Sequence, residues 1–521
     1  MIPLPESRRA RLLCAAAGGG LLGLAFPPYG YLALLAVALL PFFAAVDGDR
    51  PGRAFVTGQV FGMAFWLVTM PWIAHTVRTY GEVSWFLAGL SVLAVSVILG
   101  VPFGLMAAGV AALEPLPLPG LLFVWPAAWG FQEIFRTYWF GGFPWALLAN
   151  PLTETPDLVQ AASIGGATFV SMLVVLVATL LYLSIRDDWR RARFMYFFGA
   201  ATVTLVTALL GNLHRKGLGN EITAGTLEIG VVQTNVAQQL RWDFGQRERI
   251  YADLLRSTSE LIAMSGRKVD LVLWPESASP YHWPWSPQLR DDVQRLCREK
   301  DVAILLNTVW TEFPENDDAP FGNAALLVTA DGPVLPPYVK LRLVPFGEYV
   351  PFRGVLGKIK PLTRAIPSSF TPGERAVAIP FRGTRLGGFV CYEVTYPWIG
   401  RAQVAAGAGV LYTLTNDAWF GTSGARQQHW QAAVLRAVET GRPLVRAAVT
   451  GISGFVRETG EGYQVLGPDQ KGSFSVTVPV GTRSTPFTSW VGDWVPAVCG
   501  LVWLAAILRA RFFKPRSRVA T

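Results

Sequence analysis

Three side chains in this sequence have the types and settings needed for acyl transfer through a thioester. Cys391 ends an apolar run, Gly387 to Val390, and is followed at once by Tyr392 and Glu393. A thiol at the end of a buried strand is held at a fixed angle, in reach of groups from neighbouring strands. Glu276, in WPES, ends another apolar run, Val269 to Trp274, and Lys340 precedes Glu348 in YVKLRLVPFGEYVPF. A thiol of ordinary pKa is only slightly ionised at neutral pH, so it needs a base or a positive field. Glu276 is the candidate base, because Trp274 and Pro275 beside it point to a partly desolvated carboxylate of raised proton affinity. Lys340 is suited to stabilising the oxyanion of a tetrahedral intermediate. A carboxylate that takes the thiol proton must pass it to the leaving group, so one residue serves as base and then acid. Singly, each has a plainer reading: a packed thiol, a solvated carboxylate, a surface ammonium. Their order and flanking motifs favour chemistry.

The elements that must position them lie in residues 213–489, which read as a soluble domain. Apolar strands are predicted at Leu227 to Val232, Val269 to Trp274, Val302 to Val309, 323–329, 385–391, Val410 to Thr415 and Leu444 to Val449. Between them, Tyr251 to Ile262 repeats at helical spacing, Ser286-Pro287 looks like an N-cap with proline at the first helical position, and Gln427 to Glu439 predicts another helix. Alternation of this kind predicts a layered α/β domain with buried sheets. Residues 351–371 mix apolar tips with prolines and basic residues, and read as a mobile flap at a lipid interface or as a plain surface loop.

The remainder of the 521 residues is far more apolar: the chain is 51% hydrophobic and only 16% charged. Eight apolar runs, at 10–27, 31–47, 54–75, 84–111, 119–135, 158–185, 194–212 and 490–508, approach the length that crosses a bilayer. The predicted organisation is a transmembrane domain over 1–212, a globular domain over 213–489, and a last helix with a basic tail over 490–521. Arg8, Arg9 and Arg11, the loop arginines Arg186, Arg190, Arg191 and Arg193, and the tail from Arg509 to Arg518 place both termini in the cytoplasm by the positive-inside rule. The globular domain then faces outward, into the periplasm of a cell with two membranes. The net charge of +9 is therefore topological and excludes nucleic acid as a partner, since no basic stripe with interleaved aromatics occurs. Trp139, Phe140, Phe143 and Trp145 read as an aromatic belt or a lipid-access surface, and Glu133 as interfacial packing. The four cysteines lack metal-ligand spacing, so neither a zinc site nor a disulfide framework is expected.

WPES at Glu276, YVK at Lys340 with LVPFGEYVPF after it, and CYE at Cys391 resemble the Glu-Lys-Cys triad of the nitrilase superfamily. Within it the chain is most similar to the apolipoprotein N-acyltransferase family. The likeness extends to VVQTNVAQQLRWD, to TNDAWFG at 415–421 and to RAVETGRPLVRAAVTGISG from Arg436 to Gly454. It implies an αββα sandwich joined to about eight transmembrane helices in the bacterial inner membrane. It also implies a reaction: Cys391 takes a fatty acyl chain from a phospholipid, typically phosphatidylethanolamine, and passes it to the α-amine of an S-diacylglyceryl cysteine on an apolipoprotein. Glu276 is implied as base and acid and Lys340 as oxyanion ligand. Glu348, Tyr392 and Glu393 are implied as support, and Trp242 as a substrate contact. Asn323 could bond within the site or merely end a strand. No cofactor or metal is implied, and a monomer is expected. His282 and His429 are not read as half of a Cys–His pair, because Glu276 and Lys340 already fill those roles. The competing readings are a membrane-tethered amidase with water as acceptor, which the spans argue against, and a non-catalytic membrane scaffold, which the intact triad argues against.

Overall fold

The computed structural model of the chain describes residues 5–113, 117–218, 224–237, 240, 243–316, 318–351, 354, 370–489 and 494–512. Contacts divide it into two units, one of residues 1–78, 83–216 and 489–521, the other of 79–82 and 217–488.

The first unit is helical, and each apolar run corresponds to one helix or a broken pair. Trp85–Ala112, Ala162–Arg186 and Arg190–Leu218 are long and apolar enough to cross a membrane. Pro51–Thr69 and Trp72–Tyr80 qualify as a pair bent by 63°. Pro71 stands at that break, where its missing N–H and its constraint on Met70 interrupt the helical ladder. Arg8–Gly23, Leu34–Val37, Leu39–Val46, Leu121–Tyr138 and Trp494–Phe512 account for the remaining runs. Helices close on one another through small residues: a Cβ at Gly58 would stand 2.3 Å from the Phe103 carbonyl oxygen. Trp145 does not form a surface belt but is buried, its carbonyl accepting from Arg136 Nη1 at 2.5 Å, while the Trp145 and Trp72 rings pack 5.3 Å apart. Glu133 is likewise interior rather than interfacial, accepting from Trp129 Nε1 at 3.1 Å and the Leu148 N–H at 3.0 Å.

The second unit holds two six-stranded sheets. The first carries β1 (Thr226–Gln233), β2 (Leu271–Leu273), β3 (Ala303–Trp310), β4 (Gly322–Thr329) and β5 (Gly332–Val339). The second carries β6 (Ala378–Phe381), β7 (Thr384–Val390), β8 (Val410–Thr415), β9 (Leu444–Ala448), β10 (Ser453–Val456) and β11 (Gly462–Leu466). A final strand, β12 (Gly472–Pro479), returns to the first sheet beside β1, giving the orders β12-β1-β2-β3-β4-β5 and β11-β10-β9-β8-β7-β6. Each sheet has a parallel centre, β1-β2-β3 in one and β7-β8-β9 in the other. The sheets meet face to face, β4 against β7 and β1 against β9.

Helices cover the outer faces. Arg247–Met264 lies on β1 and β12, and Pro287–Lys300 on β3 and β4. Pro397–Ala405 lies on β7, and Ala425–Thr440 on β9 and β10. The period of two along β2 decides the layering: Val272 and Trp274 pack outward with Leu254, Leu261, Leu289 and Val293, while Leu271 and Leu273 are buried from the opposite face. Trp274 is anchored there by its Nε1–H, which donates to Thr258 Oγ1 at 2.9 Å. Fully burying one such side chain contributes about 1.5–3 kcal/mol, so the run before Glu276 fixes where that carboxylate emerges.

Candidate active site

Glu276, Lys340, Cys391 and Asn416 all sit where strands β2, β5, β7 and β8 end. Open parallel sheets place their functional groups at such carboxyl ends, because each strand there hands a side chain to a loop free to adopt special geometry. Cys391 uses that freedom: its φ is 55°, in the left-handed region. For a residue with a side chain this costs of order 1–3 kcal/mol and persists only where neighbours enforce it. Glu393 is one enforcer. Its Oε2 accepts the Val390 N–H at 2.8 Å and the Tyr338 hydroxyl at 2.9 Å, and its Oε1 accepts the N–H groups of Leu341 at 2.6 Å and Arg342 at 3.1 Å. One carboxylate thus ties the start of the Cys391 turn to the segment just after Lys340.

The structure brings Glu276, Lys340, Glu348 and Cys391 together. Lys340 Nζ lies 2.9 Å from Glu348 Oε1 and 3.8 Å from Glu276 Oε1, with the ammonium 1% exposed. The Cys391 thiol stands near enough to Glu276 and Lys340 for both charges to act on it. Asn323 bridges the two carboxylates, its Nδ2 donating to Glu276 Oε1 at 3.1 Å and to Glu348 Oε1 at 2.8 Å. Glu276 Oε2 accepts the Asn416 N–H at 3.1 Å, and Glu348 Oε2 accepts the Val344 N–H at 2.8 Å. Tyr392 is buried with its ring edge against Tyr396, 5.4 Å between centroids. Trp242 and nearly all of the 351–371 flap lie outside the described residues.

Asn307 was not visible as a site residue. It stands in β3, and its Nδ2 donates to Asn323 Oδ1 at 2.6 Å while its Oδ1 accepts the Ser277 N–H at 2.9 Å. The first contact fixes which end of the Asn323 amide faces the carboxylates. The second holds Ser277, whose φ is 52°, immediately after Glu276. The only sequence signal for it is an amide inside the apolar run AILLNT.

Electrostatics divide the groups by role. Burial, and next the charge of Glu276, push the Cys391 thiol well above its ordinary pKa. Burial also raises Glu276, against the opposing pull of Lys340. Burial alone would lower Lys340, yet Glu348 and Glu276 outweigh it and hold the ammonium charged. The thiol is therefore held protonated beside a carboxylate of raised proton affinity, with a fixed cation alongside. That arrangement suits proton transfer coupled to attack at a carbonyl carbon.

Residues 228–481 match the carbon-nitrogen hydrolase family, and residues 18–180 match the family of apolipoprotein N-acyltransferase N-terminal domains. An apolipoprotein N-acyltransferase of Geobacter metallireducens is 32% identical over 511 residues, covering 98% of this chain and 96% of its own. The chain belongs to the apolipoprotein N-acyltransferase family. The enzyme of that name from Pseudomonas aeruginosa is 30% identical over 517 residues, covering 97% of each chain. That from Pseudomonas syringae is 28% identical over 511 residues. As an apolipoprotein N-acyltransferase family member, the chain pairs a nitrilase-like α/β sandwich with an apolar helical unit, and the Glu-Lys-Cys convergence lies wholly within the carbon-nitrogen hydrolase segment.

Proposed function

We propose that the protein transfers a fatty acyl chain from a phospholipid, through a thioester on Cys391, to the α-amine of an S-diacylglyceryl cysteine at the N-terminus of an apolipoprotein. The observation that carries the chemistry is the convergence of Cys391, Glu276, Lys340 and Glu348 in one buried cluster. In the first half, Cys391 Sγ gives its proton to Glu276 as it attacks an ester carbonyl. Negative charge forms on the carbonyl oxygen, where Lys340 stabilises it. Collapse breaks the ester C–O bond, Glu276 returns the proton to the departing alkoxide, and a lysophospholipid leaves. In the second half the acceptor amine attacks the thioester, Glu276 takes a proton from nitrogen, the C–S bond breaks and sulfur is reprotonated.

The donor we assign is phosphatidylethanolamine and the working form a monomer. We assign eight spans in a bacterial cytoplasmic membrane, with both termini inside and residues 213–489 in the periplasm. Membrane anchoring of both substrates supports this, because confinement raises their effective concentration at one site.

Incubation of the purified full-length protein with phosphatidylethanolamine tests the reading by intact mass. The expected result is one acyl chain added on Cys391, discharged by a diacylglyceryl lipopeptide but stable in water. Absence of the adduct would remove the proposal, and rapid hydrolysis without lipopeptide would favour a tethered amidase.

A further inference from the structure

We propose that His429, with Asp417 and Arg446, is a positioning device that sets Cys391 against Glu276, a role that rests on reading Cys391 as the nucleophile. The three residues come from separate elements: Asp417 just past β8, His429 on Ala425–Thr440, and Arg446 in β9. All are fully buried. Arg446 Nη2 lies 2.7 Å from Asp417 Oδ2. His429 Nδ1 lies 2.9 Å from Asp417 Oδ1 and 3.1 Å from Arg446 Nη2.

The other ring nitrogen, Nε2, lies 3.1 Å from the carbonyl oxygen of Cys391. A carbonyl oxygen only accepts, so Nε2 is the nitrogen that carries hydrogen. Nδ1 faces the Asp417 carboxylate, which calls for a hydrogen there, while burial and next the Arg446 guanidinium lower the imidazole's pKa; whichever of these prevails at Nδ1, the contact with the Cys391 carbonyl needs the hydrogen on Nε2. The imidazole therefore addresses the backbone of Cys391, not its sulfur. It is not the base of a Cys–His pair.

The cluster reaches the base as well. Asn416, next to Asp417, donates its N–H to Glu276 Oε2 at 3.1 Å. Its side chain accepts the Ala418 N–H at 3.2 Å, which fixes the turn. Asp417 is held from two further sides. The Thr415 hydroxyl donates to Oδ1 at 3.0 Å, and Gly451 packs so closely that a Cβ there would stand 2.2 Å from Oδ2. One buried carboxylate thus fixes both the peptide that grips Glu276 and the ring that grips Cys391.

Stability alone gives a poor reason for such a cluster. Buried ions are costly to desolvate, and apolar replacements of similar volume are often as stable. Geometry gives a better one. The left-handed backbone at Cys391 needs enforcement. Glu393 supplies it from the Val390 side, and His429 supplies it from the carbonyl side.

Two rates on the full-length protein in detergent micelles test this. One is single-turnover acylation by phosphatidylethanolamine, read as the acyl mass on the Cys391 peptide. The other is alkylation of the same peptide by iodoacetamide. Since displacement of a reacting group by about 1 Å costs about 100-fold, His429→Leu should slow acylation at saturating phospholipid by about that factor. The half-saturating phospholipid concentration should stay within about twofold, as expected when only transition-state geometry is lost. His429→Gln, whose amide can return an N–H to the carbonyl, should recover about tenfold, the equivalent of one charge-neutral hydrogen bond. Acylation by His429→Leu within about threefold of wild type, below the loss geometry predicts, would overturn the inference, as would a glutamine variant no faster than leucine. If leucine prevents folding, His429→Asn replaces it, because the shorter amide cannot reach the carbonyl. Should the wild type take no acyl group, the acyl-transfer reading fails by itself. The alkylation rates then decide the positioning role, and equal rates in all variants refute it.

Discussion

Four ionisable groups share one buried site, and their pairing decides what each can do. Lys340 faces two carboxylates, so the ammonium is held while the Glu276–Cys391 pair competes for one proton and titrates as a unit. Replacing Glu276 by Gln removes the acceptor of the thiol proton while keeping the shape. General-base loss of this kind costs about 10²–10⁴-fold, so the acyl adduct of Glu276→Gln should form slower by that range, with the melting temperature retained. A variant that acylates at the wild-type rate would move the base elsewhere. Glu393 makes a separate prediction about pH. Burial raises it to about 7 despite its bonds to Val390, Tyr338 and Leu341. The folded state then holds this proton where the unfolded chain, near the ordinary carboxyl value of 4.5, has released it. The resulting stability is fully present below about pH 4.5 and lost as pH rises through about 7, a change of order 3 kcal/mol at about 1.4 kcal/mol per pKa unit. Thermal unfolding should fall between pH 5 and pH 8 in wild type, and Glu393→Gln should flatten the fall. The sequence marked Cys391 and Glu276 as reactive groups ending apolar runs and Lys340 by its motif with Glu348, and the fold brings the three together. Asn307 and Asn416 were not legible, because their value lies in which groups the folded strands bring opposite them.

At the scale of elements, β7 leads directly into Cys391, the proposed nucleophile, and is built around two adjacent glycines. A Cβ at Gly387 would stand 2.6 Å from Ala408 Cβ, and one at Gly388 would stand 2.2 Å from the Tyr412 hydroxyl. The first lets the segment after Pro397–Ala405 close on the strand, and the second lets the Tyr412 ring of β8 lie across it. Overpacking a core typically costs about 1–3 kcal/mol. Gly388→Ala should therefore lower the melting temperature and also slow Cys391 alkylation, because the strand that aims the sulfur must shift. Unchanged melting and alkylation would mean that Tyr412 moves freely. Most of the parallel strands could be read directly, since they are continuous apolar runs bounded by turn residues. The helix after Ser286-Pro287 was equally plain, and Ser286 Oγ does accept the Leu289 N–H at 3.2 Å. The antiparallel margins were not legible. β5, GPVLPPYV, is rich in prolines that only an edge strand tolerates. β12 finds its partner β1 at the far end of the domain sequence, a pairing that no local pattern encodes.

For the whole molecule, the apolar runs announced a membrane protein, while the count of eight spans relies on short and broken helices that composition alone cannot join. Side-chain contacts within the helical unit bear on orientation. Arg186 Nε lies 2.9 Å from Asp47 Oδ2, and Arg8 Nη1 lies 3.3 Å from Asp49 Oδ2. The start of Arg8–Gly23, the segment after Leu39–Val46 and the end of Ala162–Arg186 therefore share one face. Arg215 Nε lies 2.9 Å from Asp157 Oδ1 near the start of that last helix, hence at the opposite face. Arg136 is buried on backbone carbonyls and contributes little as a loop charge. Arg8, Arg11 and Arg186 thus share one face, the one that the positive-inside rule would assign to the cytoplasm. Alkaline phosphatase, active only outside the cytoplasm, should be active when fused after Gly219 and inactive when fused at Thr521. Activity at Thr521, or inactivity after Gly219 with the fusion protein present in the membrane, would reverse the assignment. It would also place the proposed thioester chemistry on the wrong side for exported lipoproteins.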